Sequence, residues 1–204
     1  MLNRISEDPV FLVGFPRSGT TLLQTMLMTQ ENFYSFPETH YFATVQKYIE
    51  LNEKGFIIPS CLESTLDCYY KLSKHKLSNS KLQAILKIAE DSVLTQNILF
   101  NALIDDLLSL QVDFKKLHKI RWVEKTPAHI FNVEQIYNLY PKAQFIEIIR
   151  NPMNAIYSTL LKFGNESNVK NENLAYRWIE GHEIFKNFMN INPKIAIRIK
   201  YEDL

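Results

Sequence analysis

Val10-Phe-Leu-Val-Gly-Phe-Pro-Arg-Ser-Gly-Thr-Thr-Leu-Leu23 decides the fold. Its first four residues are apolar and carry two β-branched valines, a run suited to a buried strand. Gly14-Phe-Pro-Arg-Ser-Gly19 then supplies a turn, and Leu22, Leu23, Met26 and Leu27 recur at helical spacing over about Thr20 to Thr29. A strand that turns straight into a helix gathers backbone N–H groups and a helix N-terminus around one point, which suits an anion. The spacing is that of the phosphate loop G-x-x-x-x-G-K-[ST], with Thr20 where the lysine would stand. That lysine reaches the β- and γ-phosphates of a nucleoside triphosphate. Its replacement points to an anion with fewer phosphates in line, and Arg17 is the cation left inside the loop.

Further strands follow. Arg121-Trp-Val-Glu-Lys125, Phe145-Ile-Glu-Ile-Ile149 and Ile195-Ala-Ile-Arg-Ile199 are apolar and largely β-branched. Between and after them, about His129 to Tyr140, Ala155 to Lys162 and Glu172 to Met189 read as helices. Alternation of this kind predicts an α/β, three-layer, P-loop-like fold with a mainly parallel sheet flanked by helices. Ligands on such sheets bind at the carboxyl ends of the strands. Arg17, Lys125 and Arg150 each end or follow a strand, so the pattern sends all three to one edge. Phe33 to Phe36 is a short extended run that stops at Pro37. A helical stretch is expected from Glu38 until Gly55 to Pro59, and Leu62 to Leu110 is helical with lysine-dotted, solvated faces.

Composition narrows the function. A chain of 204 residues is long enough to bury about 70% of its unfolded surface as one domain. A net charge of +1 gives no general attraction to nucleic acid or anionic membranes. No stretch approaches the length of a membrane span, and the N-terminus lacks a secretory apolar core. Cys61 and Cys68 fit no zinc spacing and suit a reducing compartment, so a cytoplasmic location and no metal are expected.

Two separated segments resemble the sulfotransferases that use 3′-phosphoadenosine 5′-phosphosulfate. Phe15-Pro-Arg-Ser-Gly-Thr-Thr21 is similar to their 5′-phosphosulfate loop. Glu124-Lys-Thr-Pro127 and Pro141-Lys-Ala-Gln-Phe-Ile-Glu-Ile-Ile-Arg-Asn-Pro152, followed by Ser158, are similar to their 3′-phosphate segment. Lys200-Tyr-Glu-Asp-Leu204 resembles the strand end that closes the family's sheet. The resemblance implies a bacterial-type branch related to tyrosyl-protein and carbohydrate sulfotransferases. The family usually continues past this point, so a single domain over 1–204 lacking a C-terminal segment is expected.

What the resemblance implies for the site is specific. Arg17, Ser18, Gly19, Thr20 and Thr21 would hold the 5′-phosphosulfate, and Arg150 and Ser158 the 3′-phosphate, the arginine in fork geometry. Lys125 would contact the bridging oxygen or the sulfuryl group, although a surface lysine at a strand end is an equally simple reading. Asn151 replaces the family's usual aspartate and can still cap the next helix. Glu38 is the candidate general base, with His40 as its competitor. His129 caps or packs, and His75, His118 and His182 have no motif around them.

The expected reaction is in-line sulfuryl transfer to a hydroxyl or amine of a small-molecule, sugar or peptide acceptor, by positioning and electrostatics. Two other functions remain open on sequence alone. One is a small-metabolite kinase, against which stands Thr20. The other is a truncated, non-catalytic nucleotide-binding relative.

Overall fold

The computed structural model describes residues 8–111, 120–163 and 171–204. Among these, the residues within 6–35 and 121–204 form one compact unit and those within 36–120 a second. The first unit is built on five strands, β1 (Val10–Gly14), β2 (Phe33–Ser35), β3 (Arg121–Lys125), β4 (Gln144–Ile149) and β5 (Ala196–Lys200). They are all parallel, in the order β2-β3-β1-β4-β5. The strand that carries the loop is central, and all five of its residues are buried. A parallel strand covered on both faces must be apolar at every position, which is why Val10 to Val13 does not alternate.

Period-two geometry assigns the two faces. Val10 and Leu12 of β1 pack with Val123, Ile148 and Leu23 of α1 (Thr20–Leu27), and Ile199 and Tyr201 lean on that cluster. Phe11 faces the other way. It stacks on Phe145 at 5.6 Å between centroids and meets Trp122 edge-on at 5.5 Å. Tyr140, at the end of α5 (Val133–Leu139), approaches the Trp122 ring at 5.8 Å, and Phe188 of α7 (Asn171–Ile191) approaches Phe145 at 4.9 Å. Helices therefore cover both faces of the sheet, giving the three expected layers. A further helix, α6 (Pro152–Phe163), follows β4, and its Ala155 packs with Phe15 and Leu174.

The second unit holds α2 (Leu62–Ser73), α3 (Asn79–Glu90) and α4 (Gln96–Ser109). Buried Asp106 of α4 ties the start of α3. It accepts from the Ser78 hydroxyl at 2.6 Å and amide at 3.2 Å, and its Oδ2 lies 2.9 Å from His75 Nε2. Thr95 caps α4 by accepting from the Ile98 amide at 3.2 Å. Tyr41, Phe42 and Phe100 form a buried cluster with centroids 4.7 to 5.1 Å apart.

The α-helix expected from Glu38 onward does not form. Thr44 and Val45 N–H both bond to the His40 carbonyl, at 2.9 and 3.1 Å, and Gln46 N–H bonds to Tyr41 at 2.8 Å. These are successive turns, and only Val45–Tyr48 coils further, as a 3₁₀ turn. His40 has φ 52, which breaks a right-handed ladder. The span expected for the helix from His129 is likewise divided. Pro127–Asn132 is 3₁₀ and the α-helix begins at Val133.

Replacing Phe11 by Ala should remove about 3–5 kcal/mol of stability, because the side chain is fully buried among three other rings. Urea unfolding measures this. A second expectation concerns alkaline pH. Burial pushes the Tyr140 phenol well above its ordinary value. The unfolded chain loses that proton near pH ~10 while the folded one keeps it, so stability falls as pH rises past ~10. In Tyr140→Phe the fall measured by denaturation at pH ~11 should be shallower.

Candidate active site

The turn from Phe15 to Gly19 is shaped by backbone requirements. Gly14 has φ 152, and a Cβ there would stand 2.8 Å from the Ile148 carbonyl oxygen, its register partner on β4. Ser18 N–H closes the turn on the Phe15 carbonyl at 3.2 Å. Arg17, at φ 65, and Gly19, at φ 101, both adopt the left-handed conformation. Glycine avoids that strain, and a side chain at Gly19 would also collide with the Tyr201 ring. Gly19 is the N-cap of α1 and offers no side-chain cap. The first helical bond runs from Leu23 N–H to Gly19 at 3.2 Å. The amides of Thr20, Thr21 and Leu22 are thus the orphan donors of a helix start.

Around this turn the sheet order gathers the expected cations. β3, β1 and β4 are adjacent, so the groups that follow their carboxyl ends lie side by side. Lys125 is in register with Leu12, two residues before Gly14, and is only 7% exposed. Arg150 directly follows β4. Its Nη1 donates to the Arg17 carbonyl at 3.1 Å, and its guanidinium carbon lies 4.5 Å over the Tyr201 ring. Arg17 in turn donates from Nε to Ser158 Oγ at 3.2 Å. Asn151 caps α6 as expected, accepting from the Met153 and Asn154 amides at 3.0 and 3.3 Å. Arg17, Ser158, Arg150 and Tyr201 therefore form one connected group beside the loop.

Two members of this neighbourhood are buried without a hydrogen-bond partner, the Ser18 hydroxyl and Arg150 Nε. Such groups each cost free energy unless a ligand or water completes them. A phosphate or sulfate oxygen suits both, one as acceptor from a hydroxyl and one as acceptor from a guanidinium. The residues present fit an anionic nucleotide in this respect.

Two buried carboxylates lie on the same face of the sheet as Phe11. Glu124 accepts from Thr126 Oγ1 at 2.6 Å and lies 2.9 Å from His129 Nδ1. His129 is fully buried, so it packs against the strand that ends in Lys125. Glu147 takes Arg198 Nε on one oxygen and His182 Nδ1 on the other, and Arg198 Nη2 also donates to the His182 carbonyl at 2.7 Å. His182 had no motif context because its partner is 35 residues away. The signal available in sequence was a glutamate inside an otherwise apolar strand, which demands a buried cation or donor.

Glu38 and His40 belong to the other compact unit. Their side chains stand 3.5 Å apart, each about one-third exposed, so the two competing base candidates form one pair. His75 bonds to Asp106 as described, and His118 lies outside the described residues. Cys61 and Cys68 are free thiols. Among the described residues, no group of three or more His, Cys, Asp or Glu is arranged to hold a metal ion, and no helix is long and apolar enough to cross a membrane.

With this geometry established, known proteins supply a frame. The family model described as "Sulfotransferase family" matches residues 9–204. The fold is similar to that of the sulfotransferase domain from the curacin biosynthetic pathway, with TM-score 0.60 and 22% identity over 97% of this chain and 68% of that one. It is also similar to the sulfotransferase domain of the Synechococcus PCC 7002 olefin synthase, with TM-score 0.60, 20% identity, and 99% and 69% of the two chains covered. A sulfotransferase from Alicyclobacillus acidocaldarius aligns with TM-score 0.56 and 13% identity over 97% and 74% of the two chains. No curated protein sequence matches significantly.

Ser18→Ala tests whether the loop is built for a ligand. Deleting an unpartnered buried hydroxyl should leave the free protein as stable or stabilise it by about 1 kcal/mol. The stabilisation by added adenosine 3′,5′-bisphosphate should shrink at the same time, as thermal unfolding with and without ligand will report.

Proposed function

The chain belongs to the sulfotransferase family, and from that premise we propose that it transfers a sulfuryl group from 3′-phosphoadenosine 5′-phosphosulfate to a hydroxyl of a small-molecule, sugar or peptide acceptor. The observation that carries this reading is the pair of buried, unpartnered groups, Ser18 Oγ and Arg150 Nε, beside a loop whose own helix start offers free amides. Two anionic centres on one nucleotide match two cationic centres, Arg17 and Arg150, linked through the Arg17 carbonyl.

The donor supplies a sulfuryl group on a phosphate leaving group; the acceptor oxygen bonds to sulfur as the sulfur–oxygen bond to phosphate breaks, and the acceptor proton goes to a base. In this proposal the amides of Ser18 to Thr21 and the Arg17 guanidinium hold the 5′ end, and Ser158 anchors one edge of that guanidinium. Arg150 and the Ser158 hydroxyl serve the 3′-phosphate, with Tyr201 stacked against the arginine to fix its plane. Lys125, held largely out of water, places positive charge where the leaving oxygen gains negative charge. Glu38 takes the acceptor proton, and His40 orients it. Thr20 in the lysine position supports this reading over a metabolite kinase.

Mass-spectrometric detection of sulfated product from a pool of candidate alcohols tests the proposal. Sulfate transfer is expected from the phosphosulfate donor. Glu38→Gln should lower kcat by about a hundredfold or more with unchanged donor affinity. Full kcat in that variant would remove Glu38 from the role. Phosphoryl transfer from magnesium-ATP, with none from the phosphosulfate, would overturn the function itself.

A further inference from the structure

The sheet has two edges, and the fold protects them unequally. β2 is only three residues long, a length that offers little ladder to another chain. β5 is five residues long and has no proline, and among the described residues no strand pairs with its outer side. The direction of its backbone groups follows from its inner side. The Ile195 carbonyl accepts from the Phe145 N–H at 2.7 Å, and Phe145 is in register with Ala196. In a parallel ladder one residue bonds to both neighbours of its register partner, so Ile195, Ile197 and Ile199 turn their backbone groups toward β4. Ala196, Arg198 and Lys200 turn theirs outward. The Ala196 N–H is taken by the Asn192 carbonyl at 3.1 Å. The outward donors that remain are the N–H groups of Arg198 and Lys200, and the carbonyls of Ala196 and Arg198 are outward acceptors.

The side chains along this edge complement themselves. Ile199 leans on the cluster beneath α1, and Ile197, on the same face by strand periodicity, is 49% exposed. Arg198 points to the other face, where Glu147 and the His182 carbonyl hold its guanidinium, so its charge does not guard the edge. Lys194 stands just before the strand, and Glu202 and Asp203 just after it, all three exposed. One end of the strand is basic and the other carries two carboxylates.

We propose that β5 pairs antiparallel with β5 of a second copy, across a two-fold axis at Arg198, and so joins two sheets into one. In that register each Arg198 N–H donates to the partner's Arg198 carbonyl, and each Lys200 N–H donates to the partner's Ala196 carbonyl. Ile197 comes to lie beside the partner's Ile199, which covers an exposed apolar side chain on both copies. Antiparallel pairing also sets the end of each strand beside the start of the other, so Lys194 approaches the partner's Glu202 and Asp203. A register shifted by two residues would set Lys194 against the partner's Lys200 instead. The two Arg198 side chains come opposite one another, but each is neutralised by Glu147 of its own copy. The interface is isologous and is independent of the sulfuryl-transfer reading.

Sedimentation equilibrium of the chain tests the proposal, and a reversible monomer–dimer equilibrium is expected. Lys200 has φ −80, which proline can adopt, and its N–H takes no part in the ladder with β4. Lys200→Pro should therefore fold normally and weaken the dimer by about tenfold, since a hydrogen bond is lost on each copy. Lys200→Ala keeps the N–H and should dimerise like the wild type. Lys194→Glu, on an exposed side chain, should weaken the dimer by about fivefold, and adding Glu202→Lys should recover most of that loss. A wild type that stays monomeric at about 1 mM, or a dimer that Lys200→Pro leaves unchanged, would overturn the edge pairing. A loss in Lys194→Glu that Glu202→Lys deepens would overturn the register.

Discussion

The hydrogen bond from Arg150 to the carbonyl of Arg17 is the contact on which the site depends. It joins the end of one central strand to the turn after its neighbour, and it does so only because β1 and β4 are parallel and in register up to Gly14 and Ile148. Arg17 must bend into the left-handed region to present that carbonyl. The strain is held by packing on both sides: Ile148 leaves no room for a side chain at Gly14, and Tyr201 leaves none at Gly19. The last strand is therefore part of the site. β5 pairs with β4 up to Lys200, and the next residue, Tyr201, backs both the glycine and the arginine.

The sheet also carries charge where an α/β core normally carries none. Glu124 and Glu147 are both fully buried. Each has its own hydrogen-bond partners: Thr126 and His129, which follow β3, for Glu124, and for Glu147 His182 of α7 together with Arg198, its register partner on β5. Removing one partner of such a group leaves an uncompensated buried charge, which is strongly destabilising. The arrangement orients what lies next to it. Glu124 fixes the strand end that presents Lys125, and Glu147 holds His182 of α7.

Sequence and structure agree where local physics decides the outcome. An apolar run of strand length, a glycine-bracketed turn and an apolar helical stripe were enough for β1, the loop and α1, because each depends on residues within about five positions. A parallel sheet was also legible, because strands and helices alternate, but the strand order was not, since it rests on pairings between segments far apart in the chain. Arg17 and Arg150 follow adjacent strands and meet, while Lys125 ends the strand on the other side of β1. The region after Glu38 did not follow. Tyr41, Phe42 and Val45 have helix-like spacing, yet all three are drawn into a core by a chain that turns repeatedly, starting at a left-handed His40. His182 was equally hidden. Its significance comes from Glu147 on a strand and Trp178 one helical turn earlier, and only the fold brings the carboxylate to it.

The account rests most directly on a nucleotide bearing both a 5′ and a 3′ anion. Calorimetric titration with adenosine 3′,5′-bisphosphate, beside ADP and magnesium-ATP, measures that preference. The account predicts that the bisphosphate binds at least tenfold more tightly than ADP and that Arg150→Ala abolishes the difference. Equal affinity for ADP and the bisphosphate, or a preference for magnesium-ATP that survives Arg150→Ala, would contradict it.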